Sequence, residues 1–398
     1  MAASRLLLTA AGIEGLAHLP SGRDLQSGNV QRGWSGPPLL EMWARWDSEW
    51  YLLIAAQGYH LEEELGRREV AYGEADATGF FPLYPLVVRE TAGILAMIPG
   101  IDQISVVARE GDGAGVPHSP RATLLLAGVL VSNLALLGAL ILLCERVVMT
   151  AEPDGGRPLA ACLALLAYPP SLFLSAVYAD SLLLFLVLLT FGFLKKRRWW
   201  AAGVAAALAS ATKPTGLLLI LPGLLALLGD QTALHNEGRS NTRWLSLAIY
   251  PAGAAAFSWY CFGQFGDPLS WLHRQARWRG SLSGPWKAFL RWAESPRLHG
   301  AHGSTVELVL AVLALVLLLG VLAKRPVAES IFAAAVVLMP LGSTLWSFGR
   351  LSLQAFPLFI VLGGWAARRP RGSLAYFVPA GAGGLVLMRY YAAWWWAG

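Results

Sequence analysis

The chain has 398 residues, 56% of them hydrophobic and only 14% charged, with a mean hydropathy of +0.50 and a formal net charge of +6. Soluble domains carry about 25% charged residues, so this composition excludes an ordinary soluble enzyme and points to an integral membrane protein. Much of the basic excess sits in short clusters between apolar runs, as the positive-inside rule requires, so it does not call for nucleic acid.

Taken in chain order, the first apolar stretch is 6–20, short and interrupted by Glu14. It reads as a weak first span or an uncleaved signal-like anchor, with no convincing cleavage site. If it crosses from inside to outside, Asp47 in the following polar segment lies on the outer face. Phe80-Phe81-Pro82-Leu83-Tyr84-Pro85 opens a further apolar stretch, broken by Arg89 and Glu90, and parity of the later runs places it in the outer interface rather than across the membrane. Charge-free runs then follow at 122–144, 158–179, 181–194, 199–212, 214–229, 244–266, 308–323, 330–349, 351–367 and 372–388. A spanning helix needs about 20 residues, with roughly 17 as a lower bound. The runs at 181–194, 199–212, 214–229 and 308–323 fall below it and read as tilted or broken helices, tolerated where they line a protein cavity. The expected fold class is an all-α polytopic membrane protein of about ten to twelve spans. It divides into a first outer loop and interfacial segment (21–121), central spans (122–262), an outer loop (263–307) and C-terminal spans (308–398). The loops at 101–121, 145–157 and 230–243 are connectors.

Three basic clusters orient these runs: Lys195-Lys196-Arg197-Arg198, Lys324-Arg325 and Arg368-Arg369 with Arg371. Four runs separate the first pair and two the second, so even counts put all three on one side, expected to be cytoplasmic. The same count gathers Tyr178-Ala179-Asp180-Ser181, Thr212-Lys213-Pro214-Thr215-Gly216, the 263–307 loop and Phe348-Gly349-Arg350 on the opposite face. The aromatic C-terminus, Tyr390-Tyr391 and Trp394-Trp395-Trp396, suits an interfacial belt there.

Several polar residues on that face can carry chemistry. In Arg45-Trp46-Asp47-Ser48-Glu49-Trp50-Tyr51, Asp47 is a candidate general base for an attacking hydroxyl; a plain ion pair with Arg45 is the alternative. Asp47 and Glu49 are two apart and diverge on a helix, so only one can aim at a shared centre. The surrounding tryptophans and Tyr51 suit sugar rings and lipid headgroups. Asp180 is either an N-cap of the next run or a functional carboxylate at membrane depth. Lys213, at a Lys-Pro-Thr-Gly helix break, suits a phosphate, with snorkelling to the interface as the alternative. The outer loop adds Asp267, Trp271, His273, Arg274, Gln275, Arg277, Trp278 and Arg279, cations mixed with aromatics as a lipid-phosphate and sugar site would have, and as a loop lying on headgroups would also show. Arg350 is a lone cation between two apolar runs and a candidate phosphate clamp.

Other templates are missing from the sequence. It has no Walker motif, no dinucleotide-binding glycine pattern and no HExxH, and Cys144, Cys162 and Cys261 form no CxxC. His299 and His302 are a close pair with no third ligand at an obvious spacing, so no metal site is expected.

Taken together, the motifs resemble the phosphatidylinositol-glycan class V (PIG-V) mannosyltransferases of the GT-C superfamily, from about Trp43 to the C-terminus. They are Arg45-Trp46-Asp47-Ser48 with Gly58-Tyr59, then Phe80-Phe81-Pro82-Leu83-Tyr84-Pro85, then Tyr168-Pro169-Pro170-Ser171-Leu172-Phe173. Tyr178-Ala179-Asp180-Ser181 follows, where the family typically has Tyr-Thr-Glu-Ser, and then Thr212-Lys213-Pro214-Thr215-Gly216, where Arg is commoner than Lys. Gly266-Asp267-Pro268-Leu269 and Arg350 before Phe356-Pro357 complete the order. The resemblance implies inverting transfer of mannose from a polyprenyl-phosphate donor to a glycolipid or glycan acceptor on the non-cytoplasmic face, with Asp47 as base. It implies substrate-binding roles for Arg45, Trp46, Glu49, Tyr84, Tyr178, Asp180, Lys213, Asp267, Arg274, Trp278 and Arg350. Partners would be the lipid-linked donor, the acceptor and membrane lipids, with no nucleic acid. No cofactor is expected, because a polyprenyl phosphate is already a good leaving group. A lipid-linked-sugar flippase, or a relative moving another sugar, would carry the same cations and aromatics. Few Lys among many Ala, Leu and Arg leans prokaryotic, hence a plasma-membrane location; in a eukaryote it would be the endoplasmic reticulum.

Overall fold

Apolar runs punctuated by proline, rather than unbroken ones, dictate the architecture. The computed structural model describes residues 1–22, 37–59, 74–101, 119–149, 158–229, 240–298 and 303–395. The His299/His302 pair, Trp396 and most of the connectors at 101–121, 145–157 and 230–243 lie outside them. Among the described residues the protein is all-α, with no strand.

In chain order the first helices are α1 (Ala2–His18), α2 (Pro38–Glu41), α3 (Asp47–Gln57), α4 (Leu83–Ala96), α5 (Ser119–Met149) and α6 (Pro158–Ala167). Then come α7 (Asp180–Lys195), α8 (Trp199–Thr212), α9 (Ile220–Leu228), α10 (Ser240–Ala248), α11 (Ala252–Phe265) and α12 (Ser270–Arg279). The last third holds α13 (Lys287–Glu294), α14 (Thr305–Lys324), α15 (Val327–Leu341), α16 (Phe348–Ser352), α17 (Phe356–Arg368) and α18 (Pro370–Ala392).

Proline splits several runs that look continuous in sequence, because it lacks an N–H and clashes with the preceding turn. Run 158–179 becomes α6 followed by a 3-10 turn, Pro169–Leu174. Run 214–229 becomes a 3-10 turn, Pro214–Leu219, followed by α9. Run 244–266 bends by 44° between α10 and α11, at Pro251. Run 308–323 instead grows, since Thr305–Lys324 forms one helix of 20 residues. By length and composition, α14 and the 123–147 part of α5 can cross a membrane, as can α10 and α11 if the bent pair counts as one span. Shorter apolar helices accompany them.

The bundle has two chemically distinct ends. At one, Glu329 is fully buried and accepts from the Nε of both Arg146 and Arg325 at 2.8 Å. Lys195 feels the same three charges, so the first two basic clusters share this end. Chain α17 leaves the opposite end just after Gln354 and finishes at Arg368, which carries the third cluster to the same side. From there α18 returns, bringing the Tyr391 hydroxyl to 3.1 Å from the Arg45 backbone N–H. The parity of the basic clusters therefore holds in three dimensions. Helix α1 runs beside α18 in the same direction, its contacts climbing from Gly12 against Met388 to Gly22 against Trp394.

Small residues let helices approach at backbone distance, as membrane bundles require. A Cβ on Gly363 would lie 2.4 Å from the Ala161 backbone nitrogen, whereas one on Gly381 meets nothing within 4 Å. Gly363→Val should therefore force α6 and α17 apart and destabilise by about 1–3 kcal/mol, the usual range for overpacking. Gly381→Ala should leave the melting temperature in detergent unchanged; equal effects at the two sites would contradict this packing.

Candidate functional site

Chain reversal at Trp46 places Asp47. Trp46 adopts φ 58°, a left-handed conformation uncommon outside glycine, and α3 begins at the next residue. The strained corner is held by the C-terminal residues. The Arg45 side chain donates from Nε to the Ala392 carbonyl (3.0 Å) and from Nη1 to the Glu41 carbonyl (2.7 Å), and lies 4.6 Å from the Trp394 ring centroid. Trp46 Nε1 donates to the Trp395 carbonyl at 3.2 Å. Tyr178 closes the corner by donating its hydroxyl to the Arg45 carbonyl at 3.0 Å.

Asp47 meets Arg350 across the bundle. Arg350 Nη1 donates to Asp47 Oδ2 at 2.5 Å, with the guanidinium 5.5 Å from the Phe173 ring and 5.1 Å from that of Tyr178. Arg350 is 8% exposed, while the Asp47 side chain keeps 26% of its surface open. The pair thus has one buried and one accessible member.

Beside it lies a second pair. Asp180 heads α7, fully buried, and its Oδ1 accepts from Lys213 Nζ at 2.6 Å and from Gln354 Nε2 at 3.1 Å. Its other oxygen, Oδ2, is buried without a hydrogen-bond partner. Lys213 sits on one extended residue between α8 and the Pro214–Leu219 turn, and Thr215 donates to Gln354 Oε1 at 3.4 Å. The helix break read from Lys-Pro-Thr-Gly is therefore real, and it delivers the ammonium to Asp180.

An aromatic shelf adjoins α3. Trp50 stacks on Phe80 (centroids 5.7 Å apart), Phe80 contacts Trp278 at 5.6 Å, and Arg274 lies 5.5 Å from the Trp278 ring. Arg274 and Trp278 dock on Gly79, where a Cβ would come within 2.5 Å of the Trp278 ring, and Gln275 Nε2 donates to the Gly79 carbonyl at 3.2 Å.

The structure thus brings together Asp47, Tyr178, Asp180, Lys213 and Arg350, with Trp278 and Arg274 on the adjoining shelf. Other expected site residues stand apart. Arg45 and Trp46 shape the backbone rather than face the pair, and Glu49 is buried in the first turn of α3. Tyr84 is fully buried and donates to the Gly128 carbonyl (3.1 Å), its oxygen 2.8 Å from Ser132 Oγ. Asp267 is exposed; its Oδ1 accepts the Leu269 N–H and its Oδ2 meets His273. The hydrogen bond from His273, then that from Leu269, holds its carboxyl below the usual range.

Two residues, Gln354 and Glu307, escaped the sequence reading, and Arg279 entered it only as one of the outer-loop cations. Gln354 is the lone amide in the 351–367 run, a signal that could have marked it. Glu307 Oε2 accepts the Gly349 N–H at 2.6 Å. Arg279 donates from Nη1 to the Trp346 carbonyl at 2.9 Å and feels the charges of Arg350, Asp47 and Glu307; burial pushes its guanidinium down to about 10.

The model of glycosyltransferase family 87 matches residues 117–350, more than half of the chain. The chain belongs to this family. It is 29% identical over 191 residues to GPI alpha-1,6-mannosyltransferase 2 of Rattus norvegicus, covering 46% of this chain and 31% of that protein. It is 30% identical over 189 residues to the Mus musculus protein of the same name, covering 45% and 30%. The chain thus spans about a third of the length of these relatives. No solved structure matches it. The resemblance to PIG-V-type glycosyltransferases drawn from the motifs is borne out. Asp180, Lys213, Arg274, Arg279, Glu307 and Arg350 fall inside the family match; Asp47 lies before it and joins them through Arg350.

Removing one member of a buried pair strands the other charge, at about 3–5 kcal/mol. Lys213→Met should destabilise by that order in detergent unfolding, and adding Asp180→Asn should recover most of the loss. A double variant as unstable as the single would show that the two charges do not act as a pair.

Proposed function

We propose that the protein transfers a sugar, mannose by its relatives' names, from a polyprenyl-phosphate donor to a lipid-linked or glycan acceptor, with inversion, on the non-cytoplasmic side of a membrane. The observation that carries this is the Asp47–Arg350 contact: an accessible carboxylate bonded to a buried cation, beside a second ion pair whose carboxylate is buried, in a member of a glycosyltransferase family.

In this reading the acceptor hydroxyl lies against Asp47, and its oxygen attacks the anomeric carbon from the side opposite the phosphate. As that bond forms, the bond from the anomeric carbon to the phosphate oxygen breaks and its electron pair leaves with the phosphate. The hydroxyl proton passes to Asp47. Arg350, and behind it Lys213 and Arg279, offset the charge that grows on the departing phosphate; such preorganised donors are often the largest part of a rate enhancement. The Trp50, Phe80 and Trp278 shelf offers ring faces to a sugar. The bundle end holding Asp47 lies opposite the Lys195 and Arg325 clusters, and by the positive-inside rule those clusters are cytoplasmic. That favours an outer active site: the plasma membrane of a prokaryote, or the endoplasmic reticulum membrane of a eukaryote.

Asp47→Asn tests the base directly, with purified protein, labelled polyprenyl-phosphate sugars and membrane lipid extract, and the product read by mass spectrometry. Transfer should fall by at least about 100-fold, the lower range for a general base, while donor binding persists. A lipid-linked-sugar transporter needs the cations but no base, so near-normal activity in Asp47→Asn would remove the base assignment. Side-chain cations neutralise the leaving group in this reading, so transfer should survive EDTA. Loss on chelation that a divalent ion restores would count against it.

A further inference from the structure

Arg350 stands on a short helix that does not hold itself in place. The residue before α16, Ser347, adopts φ 56°, and α16 has 5 residues, too few to be stable alone. The segment leading into it is gripped from the outer region at three points. Ser283 donates its backbone N–H to the Gly342 carbonyl at 2.8 Å, Arg279 donates to the Trp346 carbonyl at 2.9 Å, and Glu307 accepts the Gly349 N–H at 2.6 Å.

The third grip is the most specific. Ser304 caps α14, its Oγ accepting the Glu307 N–H at 3.2 Å. A glutamate at this position ordinarily turns back to the capping residue's own N–H. Glu307 reaches across to the first turn of α16 instead, and it is only 3% exposed. A buried carboxylate outside its own cap needs a reason. Gly349 is shaped to receive it: a Cβ there would come within 2.6 Å of Leu310 Cδ1, 2.7 Å of Pro170 Cγ and 3.2 Å of Glu307 Oε2.

We propose that Glu307 is a positioning residue for Arg350, fixing α16 through the Gly349 N–H so that the guanidinium meets Asp47 and the donor phosphate. This rests on the reading of Arg350 as the group that faces that phosphate. In this reading Glu307 does not touch the substrate; it acts through Arg350, the residue immediately after its contact.

A double-mutant cycle tests this on the full-length protein in detergent, with two readouts: sugar transfer, and binding of farnesyl phosphate as a short polyprenyl phosphate. Glu307→Ala should lower turnover roughly 100-fold, the scale of a small misplacement of a reacting group. Glu307→Gln keeps an oxygen to accept the Gly349 N–H and should restore most of that activity. The Glu307→Ala/Arg350→Ala double variant should be no worse than Arg350→Ala alone, in turnover and in farnesyl phosphate binding. Losses that multiply would overturn the proposal, as would wild-type turnover in Glu307→Ala. If Glu307→Ala does not fold, Glu307→Asp, whose shorter side chain cannot span the same gap, takes its place in the cycle. If the wild-type protein transfers no sugar, the donor reading fails, and the binding cycle still decides whether Glu307 acts through Arg350.

Discussion

The contact between Asp47 and Arg350 ties the ends of this chain together, and the arrangement around it depends on that bond. A cation buried in an apolar bundle is costly unless paired, and Arg350 lies among Phe173, Tyr178 and the α16 backbone. Asp47 supplies the matching charge from α3, some three hundred residues earlier in the chain. That requires the corner at Arg45-Trp46, which in turn requires α18 to return to the same end, because Ala392, Trp394 and Trp395 hold the corner. One ion pair thus couples the first helices, the central breaks and the last helix.

The second pair follows the same rule with a different balance. Asp180 has no exposure, and its Oδ1 accepts from both Lys213 and Gln354. Its other oxygen is left without a partner in an environment where an unmet acceptor is unfavourable.

Much of this was legible in the sequence because charges inside apolar stretches are rare and visible. Asp180, Lys213 and Arg350 each interrupt or border a run, and parity puts them on one face; Asp47, in a polar segment, joins them there if the 6–20 stretch crosses the membrane. The roles of Arg45, Trp46 and Tyr84 were not legible: a motif shows that residues recur, not whether a side chain points at a ligand or holds a backbone corner. Gln354 and Glu307 were missed because their significance lies in contacts distant in the chain, Gln354 with Asp180 and Glu307 with Gly349; Arg279 was visible only as one cation of the outer loop. Run length misled as well. Run 158–179 looks like one span, yet Pro169 and Pro170 end its helix and turn the chain, so that Phe173 and Tyr178 become a platform for Arg350.

Those breaks follow from where each helix stands. A helix facing lipid must satisfy all its backbone groups internally, and α14 does so: unbroken for 20 residues, with Val309, Val316 and Leu319 exposed. The segments at Tyr168–Tyr178, Lys213–Leu219 and Gly342–Gly349 break, and each does so at the Asp47 end. There the freed groups find protein partners: the Val177 N–H meets the Trp43 carbonyl, Glu307 takes the Gly349 N–H, and Arg279 reaches the Trp346 carbonyl. Irregular backbone in an apolar bundle is tolerated only beside such partners. Gathering these three breaks at one end therefore gathers polar side chains there too, and the constraint that excludes broken helices from lipid also concentrates charged residues around Asp47 and Arg350.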